Sequence, residues 1–249
     1  MAITFDYSEL CALLAEAGVD ALVGMDASQF SPLSKAEKAA VLQAGRSKLS
    51  MRQDDPGKAL VQVLAGPTAV LHATRVQAGL PDEHMWFFYT PDQTVQLQAV
   101  DEEQYWLTAV APHTAVLQHV QQFLPLQPAP ADLIYRVKVT EEDFLTLRDL
   151  ATEWEEVPAL EILEADGLDL VSARDLFDSA VAPEWRGIIE CLTCQGQTVT
   201  GQSTLRVLQG AEVSWLIRPS ADHRLLMETA QPGHYENALS KIWQAALSE

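Results

Sequence analysis

The stretch MWFFYTPDQTVQLQAV, residues 85–100, decides the fold class. Two runs rich in aromatic and β-branched side chains flank Pro91-Asp92, which turns the chain. In the second run Val95, Leu97 and Ala99 alternate with Thr94, Gln96 and Gln98, the period of a half-buried strand. The first run, Met85 to Thr90, does not alternate. Its neighbouring aromatics must face opposite sides of a sheet, Trp86 with Phe88 and Phe87 with Tyr89, so they cannot all enter one core. Either helices cover one face and the other is partly exposed or covered by the second half of the chain, or an apolar sheet surface serves a partner.

Further strands continue the pattern on both sides. Ala69 to Gln77 is β-rich and ends at Gly79, and Tyr105 to Ala111 follows the turn Asp101-Glu102-Glu103. Together these four runs predict an antiparallel meander. Helices precede it. Leu10, Leu13, Leu14 and Ala17 fall at helical spacing before Gly18. Ser34 and Glu37 form a capping box that opens a helix through about Leu49, with Ala40, Val41, Ala44 and Leu49 mostly on one face. After the turn Asp54-Asp55-Pro56-Gly57, a third helix runs from Lys58 to Leu64 and ends at Gly66-Pro67. A closing helix, His113 to Leu124, carries Val116, Leu117, Val120 and Leu124.

Pro125 to Ala131 has three prolines in seven residues, which favours an extended spacer. Beyond it, Leu133 to Val139 reads as a short strand, and Thr140-Glu141-Glu142-Asp143 caps a helix through about Trp154. The plan of the first half then recurs. Gly66-Pro67 matches Ala182-Pro183, Gly79 matches Gly196, and Phe87 falls near Arg206. Val95 and Leu97 match Val213 and Trp215, Trp106 and Leu107 match Leu226 and Met227, and Leu117 and Val120 match Leu239 and Ile242. The leading helices match more weakly, AAVLQAGRSKLS (39–50) against ALEILEADGLDLVS (159–172). The expectation is an α+β fold with a pseudo-twofold internal duplication. Its parts are a first repeat at 1–125, a Pro-rich linker at 126–132 and a second repeat at 133–249. Each half has helices, a four-stranded antiparallel meander and a closing helix, and the meanders join into one sheet or pack side by side.

Composition narrows the partners. The chain has 249 residues, 35 acidic and 16 basic, for a formal net charge of −19. Such a surface repels phosphate backbones and anionic headgroups. It is either a solvated surface or a complement to a basic partner. A winged-helix regulator remains as an alternative, through Lys35, Lys38, Arg46 and Lys48 on the capped helix. No run reaches the roughly 18 apolar residues of a membrane span, and no signal peptide is visible, so a cytoplasmic protein is expected.

Nothing requests chemistry. Cys191 and Cys194 form a CxxC, but a strand from Ile188 to Cys194 would send the thiols to opposite faces. The histidines form no metal motif, and His113 and His234 stand at equivalent helix starts. Nucleotide loops and nucleophile elbows are absent. The expectation is a protein that is not an enzyme and holds no cofactor or metal. An unrecognised hydrolase is the second alternative.

The order of elements is similar to that of the EspG family, chaperones of type VII secretion that bind PE–PPE substrates. The residues that carry the likeness are AAVLQAGRSKLS and LVQVLAGPTAVLHATRVQAG before the aromatic strand, then TAVLQHVQQFLPLQPAPA and YRVKVTEEDF. The resemblance spans nearly the whole chain and carries over no individual binding residue. It implies a soluble, non-catalytic chaperone or adaptor that shields the apolar tip of a helical client. Apart from the resemblance, the expected state is a monomer, or a homodimer formed through an uncovered sheet edge. The candidate partner-binding residues are Trp86, Phe88, Trp106, Val213, Trp215 and Ile217.

Overall fold

In the computed structural model, which describes residues 2–19, 21–25, 34–52, 57–100, 104–112 and 114–248, the aromatic hairpin belongs to one ten-stranded antiparallel sheet. The first half contributes β1 (Ala2–Asp6), β2 (Ala69–Val76), β3 (Glu83–Tyr89), β4 (Thr94–Ala99) and β5 (Gln104–Val110). The second contributes β6 (Arg136–Val139), β7 (Trp185–Gln195), β8 (Thr198–Gln209), β9 (Ser214–Pro219) and β10 (Leu225–Thr229). The spatial order is β1-β5-β4-β3-β2-β7-β8-β9-β10-β6, so the two meanders join through β2 and β7.

Each half adds a fifth strand to the expected four. β6 was legible; β1 was not, because AITFD is short and runs straight into a helix. Both added strands form sheet edges. The halves share strand order and, across three strands, register. Phe88 pairs with Val95 as Leu208 pairs with Trp215, and Leu97 pairs with Leu107 as Ile217 pairs with Met227, all offset by 120 residues. The sequence match of Val95 and Leu97 to Val213 and Trp215 is thus two residues short of the ladder.

Eight helices lie among the described residues: α1 (Tyr7–Glu16), α2 (Lys35–Leu49), α3 (Gly57–Ala65), α4 (Thr114–Phe123), α5 (Glu141–Glu153), α6 (Glu156–Ala165), α7 (Leu170–Val181) and α8 (His234–Ser248). They cover both faces of the sheet, where the sequence reading has helices over one face. Opposite-facing aromatics on β3 explain this. Trp86 and Phe88 pack with Leu10, Leu14, Leu60 and Leu64 under α1 and α3, on what is here termed the front face. Phe87 packs with Val116, Val120, Leu239 and Trp243 under α4 and α8, on the back face. The second half has its own front-face core, where Trp215 and Ile217 pack beneath α5, α6 and α7. The back-face core takes side chains from both halves, so they bury apolar surface jointly.

Capping bears out the helix starts. Ser34 and Glu37 exchange hydrogen bonds in the capping box of α2, and Thr140 accepts from the Asp143 N–H at the start of α5. The Pro-rich segment is tied to the sheet. The Gln127 N–H donates to the Gln209 side chain, and the Ala129 N–H donates to the Ala230 carbonyl at 2.8 Å. The expected turns at 54–57 and 101–103 lie, apart from Gly57, outside the described residues, as does His113. The leading-helix match does not hold locally: Gly45 sits inside α2, whereas Gly167 follows the end of α6 with φ +98°.

The winged-helix alternative fails on topology. A wing needs a free hairpin, but β2 is paired on both sides. No helix among the described residues is long and apolar enough to cross a membrane.

α2 is mostly exposed and rides on α1 through Gly45, where a Cβ would collide with the Ser8 carbonyl oxygen. Gly45→Ala should therefore push α2 away and cost about 2 kcal/mol, by forcing atoms into a packed contact. Calorimetry should show a melting temperature about 5 °C lower. An unchanged melt would mean that α2 is not seated there.

Candidate partner-binding groove

The cross-strand ladders place two rows of side chains across the middle of the front face. One row runs His84, Thr74, Ile188, Arg206, Ile217. The next runs Trp86, His72, Glu190, Thr204. One end of each row lies under helices: Ile217 of the first under α5 to α7, and Trp86 of the second under α1 and α3. The stretch between is half-buried or exposed, with Ile188 at 38%. It forms a saddle between the two groups of helices.

At the second-half end the saddle deepens into a cleft of about 400 Å³ between α5, α7 and the strands. Its lining is largely apolar and includes Phe144, Leu145, Val76, Ile188 and Leu208. Leu145 is 43% exposed. Arg148, Arg186 and Arg206 also line it, a concentration of cations in a chain of net charge −19. The Arg206 guanidinium lies 5.6 Å over the Phe144 ring, a cation–π contact that holds the charge beside the apolar wall.

The other end is polar. His72 Nε2 lies 3.2 Å from His84 Nδ1 and 3.1 Å from Thr74 Oγ1. On its other side His72 Nδ1 lies 3.4 Å from a Glu190 oxygen, and Glu190 also accepts from the Gln202 amide at 2.9 Å. Two facing imidazole nitrogens can make one hydrogen bond only if one is protonated and the other is not. Burial, and then the neighbouring His72, holds His84 below its ordinary value of 6.5. The hydrogen bond from His72 holds the Glu190 carboxyl below 4.5, against the desolvation that opposes it.

The structure separates the six residues expected at the partner surface. Trp86, Phe88, Val213 and Trp215 are core, 3% exposed or less, and lie beneath helices. Ile217 is buried but lines the cleft. Trp106 is 44% exposed and lies on the back face, where β5 pairs Trp106 with Gln98. Aromatic residues drew attention because of their size, and size is why the core takes them. The groove residues carried a different signal. On β7, Arg186, Ile188 and Glu190 alternate with Trp185, Gly187, Ile189 and Cys191, and on β2 His72 and Thr74 alternate with Leu71 and Ala73. Polar residues in central strands mark a strip that no helix among the described residues covers.

Other candidate chemistry resolves structurally. Cys191 lies in the back-face core and Cys194 in the front-face core, and burial pushes both thiols up. No three His, Cys, Asp or Glu side chains converge on a metal position among the described residues. A back-face hollow of about 590 Å³ contains Arg136 and Arg218, both drawn onto Glu228.

In shape, the chain is similar to the Mycobacterium tuberculosis type VII secretion system chaperone EspG5, solved in complex with a PE25-PPE41 dimer. The TM-score is 0.71, over 97% of this chain and 95% of that chain, at 15% sequence identity. The fold is therefore EspG-like. No protein-family model matches the chain, and no curated protein matches it in sequence.

The histidine pair makes a pH prediction. His84 binds a proton less readily when folded, so its contribution is complete above pH 6.5 and is lost as pH falls through its folded value. Glu190 adds a second loss below 4.5. Denaturant midpoints should fall on acidification from pH 6.5, and His84→Gln should flatten the upper part of that fall while leaving the part below 4.5. An unchanged profile in the variant would remove His84 as the titrating group.

Proposed function

We propose that the chain is a non-catalytic chaperone or adaptor of type VII secretion that acts in the cytoplasm and holds a helical client in the front-face groove. The observation that carries this reading is the uncovered strip on the central strands, ending in an apolar cleft, in a molecule with the fold of EspG5. The neighbour was solved holding a PE25-PPE41 dimer, and a protein of that class is the client proposed here.

The groove suits such a task. An apolar helix tip entering the cleft would remove Leu145, Ile188 and Phe144 from water along with its own side chains, at roughly 25 cal/mol for each Å² of apolar surface buried. The arginines on the lining would donate to carboxylates or helix C-terminal carbonyls of the client. At the polar end, His72, Thr74, His84 and Glu190 already satisfy one another, so docking there strands no polar group.

One observation favours hydrolysis instead: Thr74, His72 and Glu190 are linked in the order nucleophile, base and acid. The surrounding backbone argues against it. The main chain of β2 is shared between the ladders with β3 and β7, which leaves no pair of N–H groups free for an oxyanion. Covalent labelling of Thr74 by an acyl-directed probe would revive that reading.

The binding proposal is tested by titrating the chain with a PE–PPE dimer from its host. Leu145→Asp and Ile188→Thr should each weaken the complex about tenfold or more, because a polar group would then be buried at the contact. Both residues are partly exposed, so melting temperatures should change little. Unchanged affinity in both variants would place the client elsewhere.

A further inference from the structure

The ladders that build the saddle also gather three donor atoms into one small triangle. β2 carries His72 and Thr74 two residues apart, so both side chains leave the same face. β3 sets His84 directly opposite Thr74, and β7 sets Glu190 opposite His72. The three separations that result are nearly equal. His72 Nε2 lies 3.2 Å from His84 Nδ1, and Thr74 Oγ1 lies 3.1 Å from His72 Nε2 and 3.3 Å from His84 Nδ1.

Hydrogen bonding alone does not account for this triangle. Glu190 stands 3.4 Å from His72 Nδ1, on the far side of the ring, and draws the imidazole proton to that nitrogen. His72 Nε2 then faces the triangle with a bare lone pair. The Thr74 hydroxyl and His84 Nδ1 bring in at most one proton each, so two protons at most serve three edges. A cation at the centre would use a lone pair from every corner. The dimensions suit one: an ion about 2.0 Å from each of its tetrahedral donors holds them about 3.3 Å apart. Glu190 supplies a feature proper to metal centres, a carboxylate on the outer nitrogen of a ligating histidine. Trp86 backs the site. Its ring stacks with those of His72 and His84, at 5.0 and 5.3 Å between centroids, which limits the rotation of both imidazoles.

We propose that His72 Nε2, His84 Nδ1 and Thr74 Oγ1 bind a divalent transition-metal ion of the zinc class, with water in the fourth position and Glu190 as a positioning residue. The third donor is a hydroxyl, so the site needs no third His, Cys, Asp or Glu. Two imidazoles favour zinc, copper or nickel over magnesium and calcium. β2, β3 and β7 are each paired on both sides, so rigid elements carry every donor. The site lies at the polar end of the groove, but it does not rest on the chaperone reading.

The test titrates the full chain, freed of metal by a chelator and dialysed, with zinc in competition with a chromophoric chelator. One zinc ion should bind per chain, and magnesium should not displace it. Zinc at about a hundred times its Kd should raise the melting temperature by about 5 °C. Cobalt in place of zinc should give the visible absorption of a tetrahedral ion. His84→Gln should abolish both the uptake and the cobalt band. Thr74→Val keeps a β-branched residue on the strand and should weaken zinc about tenfold. Glu190→Gln should weaken it about tenfold or more while keeping the stoichiometry and the cobalt band. No uptake by the wild-type chain would overturn the proposal. Uptake unchanged in both His84→Gln and Thr74→Val would also overturn it, since the ion would then sit elsewhere on an acidic surface. Leu145→Asp in the groove should leave zinc uptake unchanged, so failure here and failure of the groove reading remain distinct.

Discussion

The ladder between β2 and β7 is the constraint on which the rest of the molecule depends. It runs from Ala69 opposite Thr193 to Val76 opposite Arg186, in unbroken antiparallel register. That register assigns every central side chain to a face. Leu71 with Cys191 and Ala73 with Ile189 point back; Val70 with Leu192, His72 with Glu190 and Thr74 with Ile188 point front. A slip of one residue would set His72 and Glu190 on opposite faces, sending one of them under α4 and α8 and bringing an apolar side chain into the saddle. Without this ladder two five-stranded sheets would each keep an open inner edge. With it, the exposed edges are the short β1 and β6, where Arg136 and Lys138 discourage further pairing.

The groove follows from how helices are shared around that ladder. On the back face the closing helices of both halves meet over the seam, and Leu124 approaches Gly187 so closely that a Cβ there would overlap it. On the front face the helices stand over the outer strands of each half, and no helix among the described residues covers the stretch of the seam at His72–Glu190 and Thr74–Ile188, while Val70 and Leu192 beside it are buried in the first-half core. An uncovered strip on a central strand cannot be wholly apolar without inviting aggregation, nor wholly charged without a desolvation cost beside two cores. The strip resolves this by grading. Its first-half end is a closed hydrogen-bond network around His72, and its second-half end is the apolar cleft beside Phe144.

Local signals in the sequence transferred well. The capping box of Ser34 and Glu37, the alternating strand Thr94 to Ala99 and the aromatic strand before it stand where their residues placed them. What did not transfer is information that exists only between elements. The exposure of an aromatic depends on which face a distant helix takes, so Trp86 and Trp106 could not be ranked from their own strands, although one is core and the other surface. Gly45 reads as a weak point in a helix until Ser8 is placed against it. β1 has only five residues, and its strand character depends on pairing with β5, more than a hundred positions away.

The two halves share a strand frame but differ in their helices, and that difference is what gives the molecule its particular surfaces. In the first half α2 stands outside, seated on α1 by one glycine, while α1 and α3 fill the front face. In the second half all three leading helices contribute core residues, and α5 lies close enough to the seam for Phe144 to reach Arg206. A saddle built on a symmetric frame would offer both ends of a client the same chemistry. Here one end offers Thr, His and Glu, and the other Phe, Leu, Ile and Arg. An extended ligand held in the proposed groove would therefore have a preferred direction along the saddle, because reversing it would set its apolar end against a satisfied polar network and its polar end in the cleft.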